Sequence, residues 1–292
     1  MPKMTKSFDL RKPAATSARK VMRKLLEASA VDLRGAAAGA GVHAARRNIK
    51  RMRSLLRLVR PGLGTVAFRD GDRLLKQAAD LLAEARQAEA FNAILAKLNM
   101  SDAARSTILA YLRSLAGAQA VPVALADAAG KSLGLIAQLE AELRRWRLPR
   151  HGRSFCIGGL KRSYALARRQ LAAALRTEDA EALHEARKHV IHNLHHTEIL
   201  RGLWPDVMPA IVAELTVLRE ALGEINDLDE LTAAIGGFAP ADKTILTEIH
   251  AAISALHSVH LATARRKSAL LYAEKPSAYA QRIDAMWRAA AA

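Results

Sequence analysis

One cysteine, Cys156, stands in 292 residues, so no intramolecular disulfide and no cysteine-based zinc site can be assembled. Aromatic residues make up 4% of the chain, too few for the stacking platforms on which single-strand nucleic-acid binders rely. No run reaches 18 uninterrupted apolar residues, which predicts no transmembrane helix. The N-terminal MPKMTKSFDLRKP has cations but no apolar stretch, so no secretory signal is read there and a reducing cytoplasm is the expected compartment. Also missing are a GxxxxGK[ST] phosphate loop, a nucleophile elbow and paired acids in an apolar setting. The chain is therefore expected to be a non-enzyme that needs no cofactor.

Acids are scarce as well. Lys and Arg number 45 against 28 Asp and Glu, a net charge of +17. A surplus of that size calls for a polyanionic partner: nucleic acid, an acidic membrane surface or a phosphate polymer. The imbalance is sharpest in residues 42–60, VHAARRNIKRMRSLLRLVR, which hold seven Lys/Arg, one His and no acid. At about 100° per residue, His43, Arg46, Arg47, Lys50, Ser54 and Arg57 share one face, and Val42, Ala45, Ile49, Met52, Leu55, Leu56 and Val59 share the other. Such a helix spans roughly 27 Å, enough to follow an extended anion. A stripe serving solubility alone would intersperse acids at i,i+4; a solvated charged face is nonetheless the plainer alternative.

No period-two alternation competes with helical periodicity anywhere, and the chain reads as all-α. Residues 1–13 are expected to fray. A basic helix carrying Arg19, Lys20, Arg23 and Lys24 runs from 14 to about Gly35, and the 42–60 helix stops at 61–64. A single long helix is predicted over 68–98, another from a Ser101-Asp102 cap to about 115, a turn or linker over 117–130, and a helix over 132–148 ended by Pro149. Helices over 158–177, 178–203, 209–235, 241–272 and 277–292 complete the set.

The second half repeats the first. Val42-His43-Ala44-Ala45-Arg46-Arg47 matches Leu183-His184-Glu185-Ala186-Arg187-Lys188 at an offset of 141, and residues 82–87 match 222–227 with a shift of one. Two copies of one helical unit packed together are expected. In the second copy His184, Arg187, Lys188, Ile191 and His195 share a face, a weaker stripe because Ile191 and Glu198 stand where Lys50 and Arg57 do.

Histidines crowd the C-terminal half, and His192 with His195 or His196 has the spacing of a helical metal pair. His184-Glu185-Ala186-Arg187-Lys188 misses HExxH because Lys188 replaces the second histidine, so no metal centre is expected. Asn226-Asp227-Leu228-Asp229 is the best acidic cluster, read as tying helices together by pairing with stripe arginines, with a magnesium site as the alternative.

His43-x-x-Arg46-Arg47 with Lys50, Arg51 and Arg53, its looser copy at 183–188, Gly159-Leu160-Lys161-Arg162-Ser163-Tyr164, Leu203-Trp204-Pro205 and Leu222-Gly223-Glu224-Ile225-Asn226-Asp227-Leu228 together resemble the conserved histidine α-helical domain family, CHAD. The resemblance spans roughly residues 14–290. It implies a single domain over 14–292, with two pseudo-symmetric four-helix-bundle-like halves (about 14–150 and 151–292) around a basic channel or groove. It further implies non-catalytic binding of inorganic polyphosphate, at times at cytoplasmic polyphosphate granules. Nucleic acid is the alternative partner. Carried over, His43, Arg46, Arg47, Lys50, Arg53 and Arg57 are the first-half candidates, and His184, Arg187 and Lys188 the second-half ones, with Tyr164, Arg168 and Arg169 from its opening helix. Arg19, Arg23, Lys76 and His195 complete the set. Gln87 stands where an acid would follow Arg86, and Ile191 and His195 replace an expected lysine and aromatic.

Overall fold

The computed structural model describes residues 7–35, 41–82, 87–116, 122–149 and 152–291. Among the described residues the chain is all helix: α1 (Ala14–Arg34), α2 (Val42–Leu63), α3 (Thr65–Leu81), α4 (Gln87–Leu95), α5 (Asp102–Ala116), α6 (Pro122–Arg145), α7 (Ser154–Thr177), α8 (Ala180–Ile199), α9 (Met208–Ala234), α10 (Lys243–Leu271) and α11 (Pro276–Ala291).

Helix ends follow local chemistry. Asp179 and Asp242 cap α8 and α10, accepting from the amides of Ala182 and Thr244 at 2.8 Å each. The Ser101 hydroxyl accepts from the Ala104 amide at 3.2 Å and starts α5. Gly64, at φ +87°, ends α2, a conformation open to glycine at little cost. Three expectations are corrected. The helix predicted over 68–98 is two helices: α3 ends at Leu81, and α4 leaves to pack elsewhere, with 83–86 and the repeat anchor they carry outside the described residues. The linker predicted over 117–130 is mostly helix, because α6 opens at Pro122, a residue suited to a first helical turn. Residues 7–13 do not fray, since the Phe8 amide donates to the Ile199 carbonyl at 2.8 Å and its ring meets Trp287 edge-on at 6.2 Å.

α1, α2, α3 and α6 close one four-helix ring, and α7, α8, α9 and α10 another, with α11 against α7. Three apolar cores fill the molecule. The first is centred on α2, where Ile49, Leu55, Leu56, Leu58 and Val59 are fully buried; each such side chain contributes on the order of 1.5–3 kcal/mol. The second lies within the second ring. The third joins α4 and α5 to the distal parts of α9 and α10, so it is built across position 150.

The two rings meet where α2 packs on α7 and α8. A pair of glycines makes that seam close. A Cβ on Gly159 would overlap the Leu58 carbonyl and lie 2.8 Å from the Arg57 carbonyl oxygen, and one on Gly62 would lie 2.8 Å from the Phe155 ring. Only a helix without a side chain at 159 lets backbone meet backbone here. Gly159→Ala is expected to lower stability by roughly 1–3 kcal/mol or more, as overpacking does. Gly134→Ala, on α6 with nothing within 4 Å of its Cβ, is expected to raise it by about 0.5–1 kcal/mol. Urea unfolding of the two variants checks both, and equal effects would contradict the close crossing.

Candidate anion-binding site

α2 packs against α1, α3, α7 and α8, so its cationic stripe borders neighbours along much of its length. Several cations are engaged. Arg46 donates to the Leu82 carbonyl at the end of α3. Arg51 pairs with Glu198 of α8 at 3.5 Å. Arg53 and Arg57 both reach Asp72 of α3, at 2.8 Å each. Arg60 lies over the Phe68 ring at 4.6 Å, with Arg57 at 5.6 Å from the same ring. His43 and Arg47 are exposed, and Lys50 is half-buried.

At the middle of α2 the stripe meets three histidines. Ser54 Oγ lies 3.0 Å from the Lys50 carbonyl, 2.8 Å from His192 Nδ1 and 2.9 Å from His195 Nδ1. A carbonyl can only accept, so the single hydroxyl proton goes to Lys50 and both imidazoles donate Nδ1–H to the oxygen lone pairs. His196 Nε2 donates to the Ser54 carbonyl at 2.7 Å, which leaves its buried Nδ1 bare. Each ring is thereby held neutral. Burial pushes all three imidazoles down, and cations add to it: Arg57 at His192 and His196, and Arg51, Arg219 and Lys50 at His195. His195 titrates at about 3 and His196 at about 4. The spacing that suggested a metal pair thus serves a hydrogen-bonded helix crossing. Among the described residues no group of three or more His, Cys, Asp or Glu is arranged to hold a metal. The outer edge of His195 lines a cleft of about 370 Å³ with Arg51, Glu198 and Arg201.

Cations of α2, α7 and α8 act on Arg60 and His189. Arg60 is pushed down by burial and then by Arg162 and Arg57. His189 is pushed down by burial and by Arg57, with Arg169 and Lys188 adding and Glu185 opposing. The cations acting on these two groups come from α2 (Arg57), α7 (Arg162 and Arg169) and α8 (Lys188). Arg162 and Arg169 sit seven residues apart on one face of α7, both exposed. The sequence reading did not single out Arg60, Arg162 or His189; that i,i+7 spacing was the signal available.

The second stripe is tied to α9. His184 Nδ1 donates to Asn226 Oδ1, whose amide donates to Glu230 at 2.7 Å. The Arg187 guanidinium packs against Gly223, where a Cβ would lie 3.2 Å from Nη2. Lys188 pairs with Glu185 and is exposed. Asp229 meets His257 at 3.7 Å. Asn226 and Asp229 of the 226–229 cluster therefore join helices through histidines.

The remaining candidates are placed as follows. Tyr164 is in the second core, stacked on Tyr279 at 4.0 Å, with its hydroxyl donating to the Leu271 carbonyl at 3.2 Å. Arg168 Nε donates to the Tyr272 carbonyl at 2.9 Å. Both therefore close the end of α10. Arg19 donates to the Trp146 carbonyl at 2.5 Å, past the end of α6. Arg23 and Lys76 are exposed on α1 and α3, and neither makes an ion pair among the described residues. Arg86 lies outside the described residues.

A family model described as CHAD domain matches residues 16–236, from within α1 to just past α9. No curated protein matches the chain.

The histidine junction sets an acid limit on stability. An unfolded imidazole titrates near 6.5, so below that pH the unfolded chain takes up protons that the folded junction refuses. Stability is full above 6.5 and is lost as pH falls from 6.5 toward 4, by up to roughly 3 kcal/mol for His196. The urea midpoint is expected to fall steadily between pH 7 and 4.5, and a flat profile would contradict the neutral assignment. Ser54→Ala strands two Nδ1–H groups and is expected to cost about 1–3 kcal/mol at pH 7.

Proposed function

The chain belongs to the CHAD-domain family, a family associated with polyphosphate binding, and on that premise we propose that it binds inorganic polyphosphate without catalysis, along the basic face where α2, α7 and α8 meet. What carries this reading is that α2, with seven cations and no acid, packs against α7 and α8, where Arg162, Arg169 and Lys188 are exposed. A phosphate chain offers closely spaced anionic oxygens, each able to accept from a guanidinium fork, an ammonium or an imidazole N–H. The two four-helix rings would stand as the two halves of the repeat, with the chain lying between their basic helices. Arg47, His43 and Lys50 would extend the track along α2, and Lys188 along α8.

Phosphate recognition by point charges and forks is indifferent to bases. That separates this reading from nucleic-acid binding, which shares the phosphate contacts and is the outcome to test against. Among the described residues no helix is long and apolar enough to cross a membrane. Association with polyphosphate granules in the cytoplasm would follow from the ligand.

Arg47 and Lys188 are the cleaner residues to reverse, because both are exposed whereas Arg46 also closes α3. Arg47→Glu with Lys188→Glu is expected to weaken long-chain polyphosphate binding by at least about tenfold with helicity unchanged. The slope of log K against log salt is expected to become shallower by about 0.7 for each phosphate that the variant no longer engages. Calorimetric titration at three salt concentrations checks both. Wild-type affinity in the double variant would place the ligand elsewhere.

A further inference from the structure

Asp72 projects from α3 into the stripe of α2. Arg53 Nε donates to Oδ1 at 2.8 Å and Nη2 to Oδ2 at 3.3 Å. Arg57 Nη1 donates to Oδ1 at 2.8 Å and Nη2 to Oδ2 at 3.1 Å. One carboxylate thus closes two guanidinium forks, each bidentately. The arrangement leaves Arg57 little to offer, since its Nη1 also donates to the Arg53 carbonyl at 3.1 Å. The cradle is reachable from solvent, because the side chains of Arg53, Arg57 and Asp72 are 26%, 23% and 21% exposed. Arg60 lies over the Phe68 ring that Arg57 also approaches, and so extends the cationic track from the same place.

Two arginines four residues apart on one helix are aligned by the helix itself. A single acid placed to organise them would need only one fork. Here the acid takes both, in the geometry with which a pair of arginines grips a phosphoryl group.

We propose that Asp72 is a built-in counter-ion that fills the Arg53–Arg57 cradle in the free protein and is displaced when a phosphate chain enters. The inference rests on the polyphosphate reading above and adds a threshold to it. A tethered carboxylate competes at a high effective concentration, so a lone phosphate cannot dislodge it. A chain that already engages Arg60, Arg162 and Arg169 with neighbouring phosphates can. Asp72 thereby discriminates by charge density, admitting long chains over orthophosphate or a sparsely charged polymer.

The test is Asp72→Asn, titrated with long-chain polyphosphate and with tripolyphosphate beside wild type. The variant is expected to bind both about three- to tenfold more tightly, with a larger gain for tripolyphosphate, which has fewer phosphates to dislodge the acid. Unchanged or weaker binding by a folded variant would overturn the proposal and make Asp72 an organiser of the forks. Wild type that binds no polyphosphate at all would instead remove the functional reading on which the proposal stands. A readout on wild type decides the matter even if the variant does not fold. The Asp72 carboxyl, followed by its side-chain ¹³C resonance, is expected to titrate at higher pH when the protein is saturated with polyphosphate, because the ligand takes its arginines. An unmoved titration would overturn the proposal.

Discussion

Seven cations and no acid on a helix that packs against four others is the constraint from which the rest of this structure follows. A partly buried charge must be paired, hydrogen-bonded or left at a water-facing edge. Each neighbour of α2 answers in its own way. α3 supplies Asp72 and the carbonyl of Leu82, α8 supplies Glu198, and Phe68 gives Arg60 a ring to lie on. α7 supplies an absence of side chain at Gly159, so that backbone rather than charge meets α2 at the closest point. Compensation is partial. Asp72 sets one negative charge against two arginines, so the stripe keeps a net positive charge.

The histidines of α8 answer to the same balance of charge. Where the cationic stripe of α2 crosses α8, a further cation would add repulsion and an acid would cancel the charge of the stripe. Neutral imidazoles do neither. Ser54 satisfies two of them with one oxygen and the third with its carbonyl, so the junction is polar and hydrogen-bonded without being charged. Burial keeps it neutral across the ordinary pH range. The crossing holds the two rings together beside a face that stays cationic.

The amphipathic stripe and the 141-residue repeat could be read from the chain because both are periodic and local. Arg46 meets Leu82 and Arg187 meets Gly223, each arginine touching the residue 36 positions on. Asp72 escaped because its partners lie on another helix, 15 and 19 positions away, and no periodicity links them. The end of α3 at Leu81 was hidden because apolar spacing continues through Leu82. The docking of α4 and α5 onto α9 and α10 depends on contacts between distant segments, which helical periodicity does not encode. The motif that carries Tyr164 and Arg168 serves the helix crossing at Gly159 and the closure of α10.

On the proposed reading, the basic face suits a flexible, densely charged phosphate chain rather than polyanions at large. The most direct test is competition: labelled long-chain polyphosphate bound to the protein, displaced by double-stranded DNA at matched phosphate concentration and physiological salt. The account predicts that DNA, stiff and with its charges spread around a wide cylinder, displaces the chain only in large excess. Equal competition, phosphate for phosphate, would contradict it and reduce the face to a general sink for negative charge.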